Sequence, residues 1–167
     1  MPDRGEPERS EKTDESAHSL ACPRHSSQWG LSGLNVDTAL VKLPARRRIG
    51  AVAYATFTRG NELGNGLFIY PLLGIGAALL TVLATALAFV VRSPQEVLLL
   101  LFLASLLSIL HTFATTRAAP IMLSIKEAPD DEALLMAKLD RFARWHTVRA
   151  TFQVLAFLVL LWALVIM

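Results

Sequence analysis

From Leu67 onward the chain is dominated by three uncharged hydrophobic runs, at about residues 67 to 91, 97 to 116 and 150 to 167, set between polar segments. A helix crosses a bilayer's hydrocarbon with roughly 20 apolar residues, so the pattern predicts three transmembrane helices. Residues 1–35 read differently. Asp3, Glu6, Glu8, Glu11, Asp14 and Glu15 alternate there with Arg4, Arg9 and Lys12 before a stretch rich in Ser, Gly, Pro and His. Such a segment has too little apolar surface to offset the entropy of ordering, which predicts a disordered polar tail. It also lacks the apolar core of a secretory signal peptide. Between tail and spans, Asp37 to Phe57 reads as helical with an interruption at Pro44 and a basic triplet, Arg46, Arg47 and Arg48. Ile49, Val52, Ala53 and Phe57 then fall at helical spacing, which fits an interfacial amphipathic helix or one packed on the bundle itself. The fold expected is all-α: a polytopic membrane helical bundle over residues 36–167, with three transmembrane helices, an interfacial helix and a disordered N-terminal tail.

The spans carry internal patterning. Gly74, Ala78, Thr81, Thr85 and Ala88 put small residues on one face of the first, and Ser105, Ser108, Thr112 and Thr115 do so on the second. Small faces let helix backbones approach closely in lipid, where packing and hydrogen bonds replace the hydrophobic drive. Leu99, Leu103, Leu106 and Leu110 make the second span's lipid face, and Arg149, Gln153, Ala156, Leu160 and Ala163 make one stripe of the third. The connection 117–147 holds Pro120, Pro129 and the acidic Asp130, Asp131 and Glu132, suited to a helix N-terminus. One continuous helix is expected from about residue 131 to the end.

Charge sets orientation. Lys42, Arg46, Arg47, Arg48 and Arg59 precede the first span and Arg117 to Arg149 separates the second and third, whereas the short first connection holds only Arg92. The positive-inside rule then predicts a multi-pass protein of the plasma (inner) membrane, with the N-terminus and the 117–147 loop cytoplasmic and the C-terminus outside. Trp162 would anchor the outer interface. The 53% hydrophobic content of 167 residues excludes an ordinary soluble fold. The net charge of +2 reflects basic residues beside the spans, where anionic headgroups attract them, rather than a nucleic-acid surface. The single Cys22 excludes an internal disulfide and completes no zinc spacing. Gly60-Asn61-Glu62-Leu63-Gly64-Asn65-Gly66 lacks the Gly-Lys-Ser/Thr ending of a phosphate-binding loop. No metal and no cofactor are expected.

On this topology the start of the first span, the end of the second and the start of the third share the cytoplasmic side. Asn61, Glu62 and Asn65 meet His111, Trp145, His146, Arg149 and Gln153 there, and His146, Arg149 and Gln153 share one helical face. Each has a plain structural role open to it: His111 as an interhelical hydrogen-bonding residue, Arg149 snorkelling, Trp145 in the interfacial belt, Glu62 in an ion pair. An ionisable group inside a span is nevertheless a functional-site candidate. His111, His146, Arg149 and Glu62 are therefore the catalytic candidates. Asn61, Asn65, Trp145 and Gln153 are the substrate-binding ones. Two imidazoles exchanging protons, with Arg149 and the asparagines holding a phenolate or enolate oxygen, would suit proton abstraction from a flat, apolar, acidic substrate.

From about Leu40 the chain resembles small integral membrane proteins related to anthrone oxygenases. The resemblance rests on Leu43-Pro44-Ala45-Arg46-Arg47, Gly66-Leu67-Phe68-Ile69-Tyr70-Pro71 and Phe142-Ala143-Arg144-Trp145-His146-Thr147-Val148-Arg149. It implies a four-helix membrane bundle and, for some members, cofactor-independent oxygenation of polycyclic anthrones to anthraquinones. Such proteins carry a membrane helix before the Leu-Pro-Ala-Arg region, where this chain has a polar tail. Another copy could supply that wall, the helix around Ile49 to Phe57 could replace it, or the start of this chain is not the ancestral one. The rival reading is a non-enzymatic scaffold or accessory subunit that associates through its small-residue faces. The partners implied are the lipid bilayer, a second copy or partner membrane helix, and a flat apolar small molecule.

Overall fold

The computed structural model describes residues 30, 32–64 and 66–166. Of the tail expected over residues 1–35, residues 1–29 and 31 lie outside them. Helix is present before the expected boundary at residue 36, since residues 32–37 are helical and Ser32 and Asn35 are buried. This segment passes through a π-helical turn, Thr38–Lys42, into helix α1, Leu43–Ile49. Pro44 therefore does not interrupt the helix. It stands in the first turn of α1, and the wide turn before it, closed by the Leu43 amide on the Thr38 carbonyl, relieves the clash a proline ring makes with the preceding turn. The break falls at Gly50 instead, whose φ of 88° and ψ of 155° suit only glycine.

Helix α2, Ala51–Gly60, starts there with amides that no residue of its own turn satisfies. Glu132 supplies the cap from 81 residues away, Oε1 accepting from Ala51 N at 2.5 Å and Oε2 from Val52 N at 3.0 Å. Ala51, Tyr54, Ala55 and Thr58 form the buried face of α2, so Ile49, Ala53 and Phe57 of the expected stripe point outward.

Three long helices follow: α3, Gly66–Val90; α4, Gln95–Lys126; and α5, Glu132–Val165. Each is long and apolar enough to cross a membrane, and together they are those of a multi-pass membrane protein. Helix α4 does not end near residue 116 as expected. It continues past Pro120 because Ala118, Met122 and Ile125 lie at helical spacing in a core shared with Tyr54, Leu135, Leu139 and Phe142, and this packing outweighs one missing amide. The long connection shrinks to residues 127–131. Helix α5 runs unbroken from the acidic segment, as the pattern predicts, with Asp131 Oδ1 accepting from Leu134 N at 2.8 Å.

Helices α4 and α5 pack antiparallel along their length. Arg46 of α1 donates to the Leu43 carbonyl and, at 2.6 Å, to Asp140 of α5, while Arg59 of α2 reaches Asp130 at 2.7 Å, tying both short helices to one polar end. At the opposite end Ala88, Val97 and Leu101 form a smaller core with Leu98 and Leu160. Helix α3 joins the pair only through its second half, where Ala77, Thr81, Ala84, Thr85 and Ala88 are buried. Gly74 and Ala78, expected in this seam, are only half-buried, so its true edge is turned toward Ala77 and Ala84. Thr85 Oγ1 lies 2.8 Å from Ser105 Oγ and 3.1 Å from the Leu101 carbonyl, a hydroxyl contact that only close backbones permit. On α4, Leu99, Leu103 and Leu106 face outward, as their spacing predicts, while Leu110 is half-buried.

Candidate functional site

The first half of α3 stands away from α4, and a cavity of about 360 Å³ opens between them at the polar end. Leu67 and Ile75 on α3 and Met122 and Phe142 opposite give it an apolar lining, with Asn35, Glu62, Tyr70, His111 and Arg149 among its polar groups. Pro71, next to Tyr70 in the wall, denies the Leu67 carbonyl its helical donor.

Arg149 organises the polar wall. Its Nη2 donates to Asn35 Oδ1 at 3.1 Å and to His146 Nδ1 at 2.8 Å, and its own carbonyl accepts from His111 Nδ1 at 3.1 Å. The histidine tautomers follow from these partners. Since a carbonyl only accepts, His111 carries its proton on Nδ1, and Nε2 of the neutral ring holds the lone pair. His146 is held at both nitrogens, Nε2 donating to the Asn35 carbonyl at 3.1 Å while Nδ1 accepts from the guanidinium. Only one of the two imidazoles thus retains a basic nitrogen. Arg149 Nε is buried without a hydrogen-bond partner, so the guanidinium has donor capacity in reserve.

Glu62 lies across from this network in the turn between α2 and α3. Burial pushes its carboxyl above the usual carboxylate range, and the positive charges of Lys42 and Arg149 pull partly against that. Behind it, burial and then the neighbouring Glu62 drive the Tyr54 phenol up to about 12, with Thr58 and Arg46 opposing. The Tyr54 and Thr58 hydroxyl oxygens are both buried and interact without making a hydrogen bond of normal geometry.

The structure brings together three of the four residues expected to do chemistry: Glu62, His111 and Arg149 line the cavity. His146 does not line it. At 1% exposure it sits behind Arg149, held from both sides. The substrate-binding candidates fare differently. Trp145 lines a second groove between α4 and α5, beside Arg117 and Arg141, and not the cavity. Gln153 is buried in the helix interface without reaching the cavity. Asn61 is exposed, its carbonyl accepting from Gly66 N at 3.3 Å, and Asn65 lies outside the described residues. Asn35 and Tyr70 were not candidates. Asn35 had been placed in the tail, and its hydrogen bonds span 111 and 114 residues, a separation that no local pattern reveals. Tyr70 falls at helical spacing from Gly66 and Gly74 on the face toward the cavity, a weak signal that was present.

Among the described residues no group of three or more His, Cys, Asp or Glu is placed to hold a metal ion. No family model, curated protein or solved structure matches this chain.

Proposed function

We propose that this chain is an anthrone-oxygenase-like membrane enzyme whose polar-end cavity takes a flat apolar molecule with an acidic C–H bond. One observation carries the reading: His111, with its basic nitrogen fixed as Nε2, shares a largely apolar cavity with the Arg149 guanidinium. In the reaction His111 Nε2 removes a proton from the ring methylene of an anthrone. Arg149 holds the resulting oxyanion, and its charge is fully effective there because little water competes. Dioxygen then reacts with the carbanion. One oxygen atom becomes the new carbonyl, the other leaves as water, and both methylene hydrogens are lost. His146 acts at one remove, holding Arg149 in place. Basic residues crowd the polar end, against Arg92 at the other, which supports that end being cytoplasmic in the plasma (inner) membrane with the C-terminus outside.

The test is anthrone-dependent oxygen uptake by the purified protein. His111→Ala should abolish it with unfolding temperature retained, and uptake undiminished in a folded His111→Ala protein rejects the enzyme. A second reading, a scaffold that binds a partner helix or a second copy, is supported by the unpacked half of α3, where a methyl group on Gly74 or Gly76 would meet nothing within 4 Å. Gly74→Leu would then break an association seen by size-exclusion chromatography in detergent, and an unaltered elution volume counts against it.

A further inference from the structure

The α4–α5 pair has two sides at its polar end, and charge is divided unevenly between them. One side carries α1, α2 and the cavity. Four carboxylates of this end are engaged in bonds of the fold: Asp140 Oδ1 accepts from Arg46 at 2.6 Å, Asp130 Oδ1 from Arg59 at 2.7 Å, Glu132 caps α2 and Asp131 caps α5. The other side is a groove of about 910 Å³, bounded by α4 from Phe113 to Ser124 and α5 from Leu134 to Trp145. Arg117, Lys138 and Arg141 line it, and none of its lining residues is acidic. None of these three cations makes an ion pair among the described residues.

Two of the cations are held in position. Lys138 Nζ donates to the Ser124 carbonyl at 3.0 Å and lies 3.1 Å from Ser124 Oγ, which leaves it donor capacity. The Arg117 guanidinium lies over the Phe113 ring, 5.4 Å from its centroid. The eleven-residue step from Phe113 to Ser124 covers about 16 Å along a helix. That length reaches from the uncharged run of α4, where Phe113 and Trp145 provide apolar walls, down to the charged turn after Lys126.

We propose that this groove is a binding site for one anionic phospholipid. Its phosphate sits among Arg117, Lys138 and Arg141, and an acyl chain runs past Phe113 and Trp145 into the hydrocarbon. Charge complementarity selects the anionic headgroup. The apolar upper wall, continuous with the lipid-facing surface of α4, selects a lipid over a free phosphate. The site adjoins the cavity at Thr116, which lines both, and does not depend on any enzymatic activity.

The experiment is native mass spectrometry of the full chain in a neutral detergent, with equimolar dioleoylphosphatidylglycerol and dioleoylphosphatidylcholine added. Retention should favour the phosphatidylglycerol. A basic residue near an anionic surface changes affinity about fivefold, so the triple variant Arg117→Gln/Lys138→Gln/Arg141→Gln should lower the ratio of the two lipids more than about tenfold. Arg47→Gln/Arg48→Gln, on exposed α1 positions away from the groove, should leave it unchanged. If the triple variant fails to fold, Arg141→Gln alone, at an exposed position, should lower the ratio about fivefold. Equal retention of both lipids by the unaltered chain, or a ratio unmoved by a folded groove variant, overturns the proposal. Displacement of the phosphatidylglycerol by millimolar inorganic phosphate, with phosphate itself retained, overturns it in favour of a free anion.

Discussion

The two halves of α3 are alike in composition and unlike in what they do. Both are apolar and both contain small residues at helical spacing. In the second half Ala77, Thr81, Ala84, Thr85 and Ala88 are buried against α4, and the Thr85 and Ser105 hydroxyls meet at 2.8 Å. In the first half a methyl group added at Gly74 or Gly76 would meet nothing within 4 Å, and Leu67, Tyr70 and Ile75 wall a cavity. Small residues permit close approach; they do not produce it. A partner must present a matching face at the same level. Ser105 and Ala104 of α4 do so, whereas lower down the cavity lies between the helices, with Asn35, Thr38 and Glu62 in its wall.

That comparison can be broken or sharpened by four measurements. The largest effect belongs to Ala84→Leu, which forces a large side chain into the closed seam. It should destabilise the protein by about 2–3 kcal/mol, read as a lower unfolding temperature in detergent, while Ile75→Leu in the open half changes nothing measurable. Thr85→Val removes the hydroxyl that meets Ser105 and should lower stability by about 0.6–1.7 kcal/mol in the same assay. Gly74→Ala should have the opposite sign. Its new methyl meets open space, and the helix gains up to about 1 kcal/mol of propensity. A loss there would mean that the half is packed in solution.

The smallest effect is a pH dependence. The Glu62 carboxyl is raised in the folded state, so folding favours its protonated form. The stability this contributes is fully present below the ordinary carboxylate range and is lost as pH climbs through the raised value. Glu62→Gln should therefore flatten the decline of unfolding temperature with rising pH and leave the protein more stable at neutral pH. An unchanged slope would show that the cavity wall around Glu62 is hydrated.

Much of the architecture was legible in the chain. The three spans, the outward leucines of α4 and the long last helix follow from composition and period, because lipid demands continuous apolar helix and each helix closes its own backbone bonds. Glu62, His111 and Arg149 were also legible as a convergence, since polar groups in spans gather where topology brings helix ends together. Helix limits were less so. Pro44 looked like an interruption and Pro120 like part of a connection, yet a π-helical turn admits the first and the buried row Ala118, Met122 and Ile125 carries α4 past the second.

The chain alone determined that this protein has three membrane-length helices with one basic end, for apolar length and charge placement are local properties that any fold of the chain inherits. Tertiary structure decided which polar groups meet. Asn35, read as part of a tail, binds both His146 and Arg149; Glu132 caps a helix 81 residues earlier; and Trp145 faces a different groove from the histidine beside it. These are pairings across long sequence separations, set by how one helix is rotated against another, and a rotation of a single residue position, about 100°, is enough to move a side chain from cavity to surface.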